Sequence, residues 1–563
     1  MAAAVTLPGG SGSSTIAVGG PDPANLANII GNYLTTVAVT GTPVSITGTT
    51  TSLPSAPAVS GTTVTELVLT GSGSVNASVP GGYSYVVANT STASTLQGSN
   101  VAIVSGTAGG TYSVTGNSSI AATGGANNIT ASGTFDVSAN GTNTIVASGS
   151  GSVSTGNGTS TIVATGGSTD KTTINSAGTD DVVSTGSTGT YSVTMSGTGG
   201  VIYAGAGTNS VQAAGVLQKI GFSTGNNSAS LSGTQGTVYA GSGAANVNAS
   251  GTKAAIGGST GALNVTSTGA GTAIYAAGGS TFADMTGDND VINGYTGAVT
   301  ATMSGANDSV GGGNNTAIYA VTMTGANAYI SANAKSLTAD ITGAHALIGL
   351  GGTNGSANVA NITLAGGGAT VYGSAATDSN LFLTATAGSD TIGLGAGSAA
   401  VTASGTSNLT INGGSGSLNF VGGAGSYSIT DELNATLFGG SGSNITYSST
   451  TADKAVFTAG AGNETLNAAN ALGADTMIGG TGSTTMSGGA GGAVFQFSTL
   501  AGGGSTTITD FAANDTLKLV GYGTVNPTGT QVGTSVVLTL SDKTSITFLN
   551  TQVSTVTAHT TSA

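Results

Sequence analysis

The chain has 563 residues and a formal net charge of −14, and its seven basic residues are all lysine. Clustered arginine and lysine neutralise phosphates, so this composition argues against a nucleic-acid partner and against an anionic membrane surface. The absence of cysteine excludes disulfide bonds, and 38% hydrophobic with only 5% charged residues argues for an ordered chain over a disordered one.

The N-terminus shows no secretory signal peptide, because Met1–Pro8 lacks a basic region followed by a long apolar run. A transmembrane helix needs roughly 18 or more consecutive apolar residues. The sequence contains no such run, so no membrane insertion is expected.

Seven of the eight prolines lie in residues 1–80, and proline is excluded from central strands. This segment is predicted to be mixed, with a helix capped by Asp22 and strands at Val37–Ile46 and Val64–Leu69. The apolar face of the helix consists of Leu26, Ile29, Ile30, Tyr33 and Leu34. So small a segment has too little core to fold alone. We expect it to cap the repeats that follow or to contact a neighbouring molecule through this helix.

Residues 81–492 are predicted to form a long parallel β-solenoid, similar to a β-roll. Short runs rich in Val, Ile and Thr end in glycine turns, as in Ile129–Gly133 and Val137–Gly141, and such runs are typical of strands. Similar blocks also recur at a fixed distance along the chain, and a fixed period indicates a repeat architecture. We therefore predict an all-β fold with two strands in each coil of about 18 residues.

Each of the recurring blocks pairs a tyrosine with a preceding aliphatic residue. The tyrosines are Tyr203, Tyr239 and Tyr275, two predicted coils apart, and the aliphatic residues are Ile202, Val238 and Ile274. Strand side chains alternate between faces, so aliphatic residues in the core would place the tyrosines in an external row. The row would then stack on sugars or on another molecule, unless the tyrosines reflect only the β-propensity of the strands.

Three glycine-rich stretches resemble the nonapeptide repeats of RTX (hemolysin-type) proteins. They are Ala459–Leu466, Gly473–Met477 and Gly479–Met486, and Phe495–Phe497, Ile508–Phe511 and Asn514–Leu517 are similar to the segment that closes many RTX β-rolls. The likeness covers residues 385–556 well and the rest of the solenoid loosely. It implies a right-handed β-roll, calcium sites and export by a type I machine that reads an uncleaved C-terminal signal. An extracellular location follows from that resemblance.

Residues 493–563 are predicted to form a small C-terminal β-cap, because their strands are longer and more regularly alternating. The expected strands are Val494–Phe497, Thr516–Val520, Val536–Leu540 and Ser545–Leu549. The uncharged tail Asn550–Ala558 suits the secretion signal that the resemblance implies, and it equally suits a disordered terminus.

Calcium takes six to eight oxygen ligands, so a β-roll site needs carboxylates from successive coils at one edge. The chain departs from the RTX pattern, because Thr484 stands where the repeat has Asp and Glu464 replaces another Asp. Asp290 and Asp308 are separated by one predicted coil length, which places them at the same edge of adjacent coils. The candidate calcium ligands are Asp288, Asp290, Asp308, Asp390, Glu464, Asp475, Asp510 and Asp515. The alternative is that these acidic residues and their Asn neighbours form turns.

The sequence offers little catalytic chemistry. Its two histidines, His345 and His559, are too few for an RTX-type zinc protease, and His345 is predicted to be a strand or turn residue. The scattered lysines provide no cationic cluster for a polysaccharide lyase. A paired-carboxylate glycosidase at Asp180 and Asp181, or at Asp288 and Asp290, would lack a pocket and an aromatic platform. We therefore expect no enzyme.

The sequence favours a secreted structural protein that assembles with itself into a surface layer, filament or biofilm scaffold, since the open ends of a solenoid demand capping or pairing. Its expected partners are further copies of itself, the type I secretion machinery and cell-surface or matrix polysaccharide. The alternative is an adhesin or an ice- or carbohydrate-binding protein. Ice binding would be favoured by regular threonine ranks at coil spacing, and the sequence shows threonine runs without a sustained register.

Overall fold

The computed structural model describes residues 3–9, 12–18, 39–179, 181–186, 188–314, 316–352, 358–431, 434–449, 454–523 and 528–563. The described strands form a parallel β-solenoid of about 24 turns spaced by about 18 residues, with about 2% helix. The predicted all-β solenoid is therefore confirmed. The predicted helix, with Leu26, Ile29, Ile30 and Tyr33, lies outside the described residues. The chain divides into two units, Met1–Thr281 and Phe282–Ala563.

The strands of the first unit are short and follow one another closely. They are β1 Ala3–Gly9, β2 Gly12–Val18, β3 Val39–Ile46, β4 Val64–Gly71, β5 Asn76–Ser78, β6 Tyr85–Thr90, β7 Ser94–Ser99, β8 Ala102–Ser105, β9 Gly110–Ala122, β10 Ala126–Ala139, β11 Thr142–Thr155, β12 Ser160–Thr165, β13 Lys171–Ser176, β14 Val182–Thr185, β15 Thr190–Met195, β16 Val201–Tyr203, β17 Thr208–Ala213, β18 Lys219–Gly221, β19 Asn227–Leu231, β20 Thr237–Tyr239, β21 Ala245–Ala249, β22 Ala255–Gly257, β23 Leu263–Ser267 and β24 Ala273–Tyr275.

The N-terminal part of this unit mixes two kinds of pairing. Strands β1 and β2 form an antiparallel hairpin, whereas β3 and β4 pair in parallel and β4 continues the stack to β6. The strands predicted at Val37–Ile46 and Val64–Leu69 are thus present as β3 and β4. Parallel stacking in this unit begins at Val39, inside the proline-containing segment 1–80.

Long bent strands occupy the next coils. The sequence predicts two strands at Ile129–Gly133 and Val137–Gly141, and the structure instead has the single strand β10. Gly133 bends this strand in a left-handed conformation (φ 92°), and it pairs with Gly149, which has φ 116°. Glycine adopts such angles without the steric penalty of a side chain, so the chain turns a corner there without interrupting the hydrogen bonds.

From β11 onward each strand of the first unit pairs with the strand two positions later, so even- and odd-numbered strands form two separate parallel ladders. We call them the even ladder and the odd ladder. Inward residues of the even ladder stack as Ile202, Ile220, Val238, Ile256 and Ile274, all with 0% exposure. Full burial of one such side chain contributes about 1.5–3 kcal/mol. A narrow aliphatic core therefore holds these coils together.

The strands of the second unit continue the same alternation. They are β25 Thr281–Met285, which starts at the unit boundary, β26 Val291–Gly294, β27 Val299–Met303, β28 Ser309–Gly312, β29 Ile318–Met323, β30 Tyr329–Ala332, β31 Ser336–Ile341, β32 Leu347–Leu350, β33 Val359–Leu364, β34 Thr370–Tyr372, β35 Asn380–Ala385, β36 Ser389–Gly393, β37 Ser398–Ala403, β38 Asn408–Asn412, β39 Ser417–Val421, β40 Ser426–Asp431, β41 Ala435–Phe438, β42 Asn444–Ser449, β43 Ala455–Thr458, β44 Asn463–Asn467, β45 Thr476–Ile478, β46 Ser483–Ser487, β47 Val494–Ser498, β48 Ser505–Ile508, β49 Thr516–Val520, β50 Thr530–Val532, β51 Ser535–Thr539, β52 Ser545–Phe548 and β53 Thr560–Ser562.

The C-terminal part closes the second unit. Strands β50, β51 and β52 form an antiparallel sheet, while β52 and β53 extend the even and odd ladders through β48 and β49. Phe511 packs between Phe495 and Phe548, with ring centroids 5.9 and 5.0 Å away. The tail is ordered, because it contains helix α1, Val553–Ala558, and the paired strand β53. No described helix is long and apolar enough to cross a membrane.

Candidate interaction faces and carboxylate positions

Tyrosine and glycine alternate along the outer face of the even ladder in the first unit. Successive partners in register are Tyr203, Gly221, Tyr239, Gly257 and Tyr275. The tyrosine side chains are 60%, 62% and 53% exposed, in that order. The predicted external row is thus present, and neighbouring tyrosines are two coils, or about 9.6 Å, apart.

The glycines between the tyrosines are not required by the backbone. A methyl group built on Gly221 would have the carbonyl oxygen of Ile202 as its nearest atom, at 3.8 Å, and neither Gly221 nor Gly257 has a positive φ. At Gly257 the nearest atom would be Cδ1 of Tyr239 at 3.4 Å, so this ring leans over the glycine. Gly221 and Gly257 are the last residues of β18 and β22, and neither steric space nor backbone conformation requires glycine there.

Two exposed lysines belong to the glycine coils. Lys219 is the first residue of β18, and Lys253 lies two residues before β22 with a φ of 58°. We define the tyrosine strip as the three tyrosines, the two glycines and these two lysines. The list is Tyr203, Lys219, Gly221, Tyr239, Lys253, Gly257 and Tyr275.

A sustained hydroxyl rank runs along the even ladder of the second unit, which corrects the expectation that the threonine runs have no register. Its members pair from coil to coil in the order Thr370, Thr391, Thr410, Ser428, Thr446, Thr465, Thr485, Thr507 and Thr547. We call these residues the threonine rank. Six members from Thr391 to Thr485 are exposed, and those from Thr391 to Thr446 border a shallow groove of about 480 Å³. The face is therefore uncharged, hydroxyl-rich and regular.

Sequence reasoning missed this rank because its coils differ in length. Ser428 follows its partner Thr410 by one regular coil length, whereas Thr547 follows its partner Thr507 by more than twice that length. The additional residues lie between the paired strands, and before Thr547 they include the antiparallel strands β50 and β51, so the register is kept while the sequence period is lost. A search for Ser/Asn-x-Thr within short strands, without a fixed period, would have found it.

An exposed apolar patch lies on the odd ladder of the second unit. It consists of Val421, Phe438 and Val456, which are 42%, 41% and 37% exposed. Val421 pairs directly with Phe438, and Val456 pairs with Thr436, two residues before Phe438 on the same strand. Contiguous exposed apolar side chains mark association surfaces or aggregation sites. We call these three residues the apolar patch.

The predicted calcium pair is adjacent but buried. Asp290 and Asp308 occupy neighbouring coils as predicted, with 0% and 1% exposure. Oδ1 of Asp308 accepts a hydrogen bond from the backbone N–H of Asp290 at 2.9 Å. Burial raises the pKa of Asp308, more than this hydrogen bond lowers it. Asp288 is exposed, and its Oδ1 accepts from the N–H of Ala306 at 2.8 Å.

The other candidate carboxylates also bind backbone groups of an adjacent coil. Asp390 accepts from the N–H of Ala369 at 2.9 Å, and Asp475 from that of Ala455 at 2.8 Å. Asp515 accepts from the N–H groups of Ala493 and Ala512. Glu464 accepts from the hydroxyl of Ser443 and the N–H of Gly460. Asp510 accepts from the hydroxyl of Ser487 and the N–H groups of Gly488 and Gly489. Burial raises the pKa values of Asp390, Glu464, Asp475 and Asp515. These carboxyl groups therefore tie neighbouring coils together.

The asparagines next to the predicted pair form turns. Asn289 and Asn307 have φ values of 61° and 60°, which Asn tolerates better than most residues. Nδ2 of Asn307 donates to Oδ1 of Asn289 at 3.3 Å, and Asn327 donates to Asn307 at 3.1 Å. His345 has a φ of 59°, so its predicted turn position is confirmed.

In the described part of the chain, no three His, Asp or Glu side chains come together to hold a metal ion. Seven of these carboxylates, all except Asp290, are shown accepting hydrogen bonds from backbone or hydroxyl donors, as the turn interpretation requires. Asp180 lies outside the described residues. Calcium at the eight candidate positions stays a prediction.

Glu66 is a buried acid that the sequence analysis did not single out. It has 0% exposure on β4, and neither carboxyl oxygen has a hydrogen-bond partner. Burial raises its pKa to about 7. The signal available in the sequence is a single Glu inside the otherwise uncharged strand Val64–Gly71.

Comparison with protein-family models, curated proteins and solved structures found no match to the chain.

Proposed function

We propose that this protein is a non-catalytic structural protein, secreted from the cell, that assembles with copies of itself through the apolar patch. The observation that carries the proposal is the exposure of Phe438 and Val421 side by side on a regular sheet face. A soluble chain that worked alone would gain from polar residues at these positions. Thr458, which pairs with Phe438 in the following coil, is such a polar residue.

The chemistry of the patch suits a partner with a similar surface. Two flat sheet faces pack about 10 Å apart with interdigitating side chains. Each phenylalanine buried in such a contact contributes about 1.5–3 kcal/mol. The apolar patch therefore supplies a driving force for a sheet-to-sheet contact between copies.

Secretion is the part of the proposal that rests on sequence. The RTX-like stretches within Ala459–Met486 imply export by a type I machine. The ordered tail, with α1 and β53, would then travel with the folded protein as part of its cap. Fusion of residues 493–563 to a reporter protein tests this: secretion by a type I system supports it, and retention of the fusion contradicts it.

A matched pair of substitutions tests the assembly surface. Phe438→Thr introduces the residue type of its neighbour Thr458. The control Phe282→Thr changes a comparably exposed phenylalanine (49%) outside the patch. Sedimentation velocity over a concentration series should show association for the native chain and for Phe282→Thr, and its loss for Phe438→Thr. Equal association of all three proteins would contradict the proposed surface.

The threonine rank favours a second candidate function, binding to a regular neutral surface such as ice. Its hydroxyl groups repeat at the strand spacing of about 4.8 Å, and each threonine adds a methyl group that makes the face partly apolar. Thr446→Tyr would place a bulky ring in the centre of the exposed part. Inhibition of ice recrystallisation by the native chain, and its loss in Thr446→Tyr, would support this function. No inhibition by the native chain would exclude it.

A further inference from the structure

The tyrosine strip alternates aromatic and cationic coils. Tyrosines occupy β16, β20 and β24, and the intervening coils bring Lys219 with Gly221 and Lys253 with Gly257. The aromatic groups thus repeat every two coils, or about 9.6 Å. The coil between two successive tyrosines has glycine at the equivalent position and one exposed lysine in or near its strand.

The charge of this region differs from that of the whole chain. Residues 182–281 contain Lys219 and Lys253 and no Asp or Glu, whereas the chain carries a net charge of −14. The strip is therefore a positive surface in a strongly acidic protein. Charge complementarity favours an anionic ligand at this face.

We propose that the tyrosine strip binds an acidic polysaccharide, with its chain running along the direction in which the coils stack. Sugar rings would stack on the exposed tyrosine faces, which supply large rigid contact area, and sugar carboxylates would pair with the lysines. The two-coil repeat is close to the length of a disaccharide, so successive disaccharides meet equivalent groups. This binding is separate from the proposed self-assembly, which uses the other ladder of the other unit.

The geometry favours a polysaccharide over a single-stranded nucleic acid. Nucleic acid binding combines aromatic stacking with a positive groove that follows every phosphate. The strip has one lysine for each two coils, and its ring at Tyr239 leans onto Gly257 and presents a flat platform instead of a slot for an inserted base. Flat tyrosine rings and widely spaced lysines suit a sugar polymer, whose rings stack on the aromatic faces and whose carboxylates pair with the lysines.

The test uses polygalacturonate and its fully methyl-esterified form, which has the same sugar backbone but a neutral methyl ester in place of each carboxylate. Binding to the full-length chain is measured by isothermal titration calorimetry at low salt, with an oligothymidylate as a third probe. The variants are Tyr239→Ala, Lys219→Gln and the control Tyr295→Ala, which removes a tyrosine of similar exposure (63%) in the second unit. Circular dichroism confirms that each variant is folded, and sedimentation is run in parallel on every sample.

We expect polygalacturonate to bind and its ester to bind weakly. Tyr239→Ala should weaken binding about tenfold, Lys219→Gln about threefold, and Tyr295→Ala should leave it unchanged. Absence of binding, equal binding of the ester, tighter binding of oligothymidylate, or equal loss in Tyr295→Ala would each overturn the proposal. Loss of self-association in Phe438→Thr with polygalacturonate binding retained would show that the two surfaces act separately.

Discussion

Two regions of the molecule build the same kind of ladder from different sequence patterns. The coils that carry the tyrosine strip keep a constant length from Val201 to Tyr275. The coils that carry the threonine rank differ in length by more than a factor of two, as the steps from Thr410 to Ser428 and from Thr507 to Thr547 show. Strand register is therefore set by inward side chains and backbone hydrogen bonds, and the length of the connections is free to vary.

The two regions also differ in where they place charge. No acidic residue occurs in 182–281, while Asp390, Glu464, Asp475 and Asp515 are buried among the coils of the threonine rank. Each of these carboxyl groups has a raised pKa because of burial. The stability of the coils that carry the tyrosine strip (the regular coils) should therefore be insensitive to pH, and the stability of the coils that carry the threonine rank (the variable coils) should depend on it.

The largest expected effect comes from the core that the two regions share. Ile256→Ala in the regular coils and Ile411→Ala in the variable coils each remove a fully buried side chain. Each should lower the free energy of unfolding by about 2–5 kcal/mol. Urea unfolding monitored by hydrogen exchange should locate the loss of stability in the coils around each substitution, because repeat proteins are stabilised by contacts between neighbouring repeats. A loss below about 1 kcal/mol at one site only would show that the two cores differ in kind.

Glu66, which lies outside both regions, is the reference case for how a buried acid makes stability depend on pH. Its pKa is about 7 in the folded chain and 4.5 when unperturbed, so folding favours the protonated form. That stability is present below pH 4.5 and is lost as the pH rises through 7. Glu66→Gln should therefore raise the free energy of unfolding by about 3 kcal/mol at pH 8 and change it little at pH 4. Urea titrations at both pH values measure this, and an equal effect at both would contradict it.

Asp475 brings the same test into the variable coils, with a smaller expected effect. Burial raises its pKa above 3.8, so its contribution is present below that value and is lost as the pH rises through the folded-state pKa. Asp475→Asn keeps an oxygen that accepts from the N–H of Ala455 and removes the charge. The variant should gain stability relative to the native chain only as the pH rises.

Asp542→Asn is the matched control for Asp475. Burial acts to raise the pKa of Asp542, but hydrogen bonds from Tyr522 and Thr544 outweigh it and lower the pKa. The distance from the Tyr522 hydroxyl to Oδ2 of Asp542 is 2.6 Å. Asp542→Asn should therefore be less stable than the native chain, by an amount that grows as the pH rises from the folded-state pKa to 3.8 and is constant above it, opposite in sign to Asp475→Asn. Thermal melts across pH 3–8 that showed the same sign for both variants would contradict the burial argument.

The smallest expected effect is that of a longer connection. Inserting Gly-Ser between β18 and β19 lengthens one regular coil without touching an inward residue. Loop closure changes slowly with length, so the free energy of unfolding should fall by less than about 0.6 kcal/mol. Retained exposure of Tyr239, measured by tyrosine nitration, would show that the register holds. A cooperative loss of structure would mean that the fixed period is itself required.

The sequence predicted most of the fold because its strongest signals were local. The tyrosine blocks identify both the period and the face of the even ladder, and Ile202, Val238 and Ile274 are in the core as expected. The strands of the C-terminal cap were also predicted within a residue or two, since alternation over four or five residues is visible without neighbours.

The sites were harder to predict because they depend on pairing between distant residues. The threonine rank joins Thr485 to Thr507 and Thr507 to Thr547, and neither step has the period of the other coils. The acidic residues are candidate calcium ligands in the sequence, and calcium at these positions stays a prediction. The structure adds hydrogen bonds that the sequence could not show, such as the one that the backbone N–H of Asp290 donates to the carboxylate of Asp308.

Electron microscopy of the purified full-length chain, with calcium and with chelator, tests the proposed self-assembly most directly. The proposal predicts ordered polymers or sheets that form with increasing concentration, and their loss in Phe438→Thr under the same conditions. Polymers that form only with calcium would add the predicted calcium requirement to the same assembly. Monodisperse particles at every concentration, with and without calcium, would contradict the proposal.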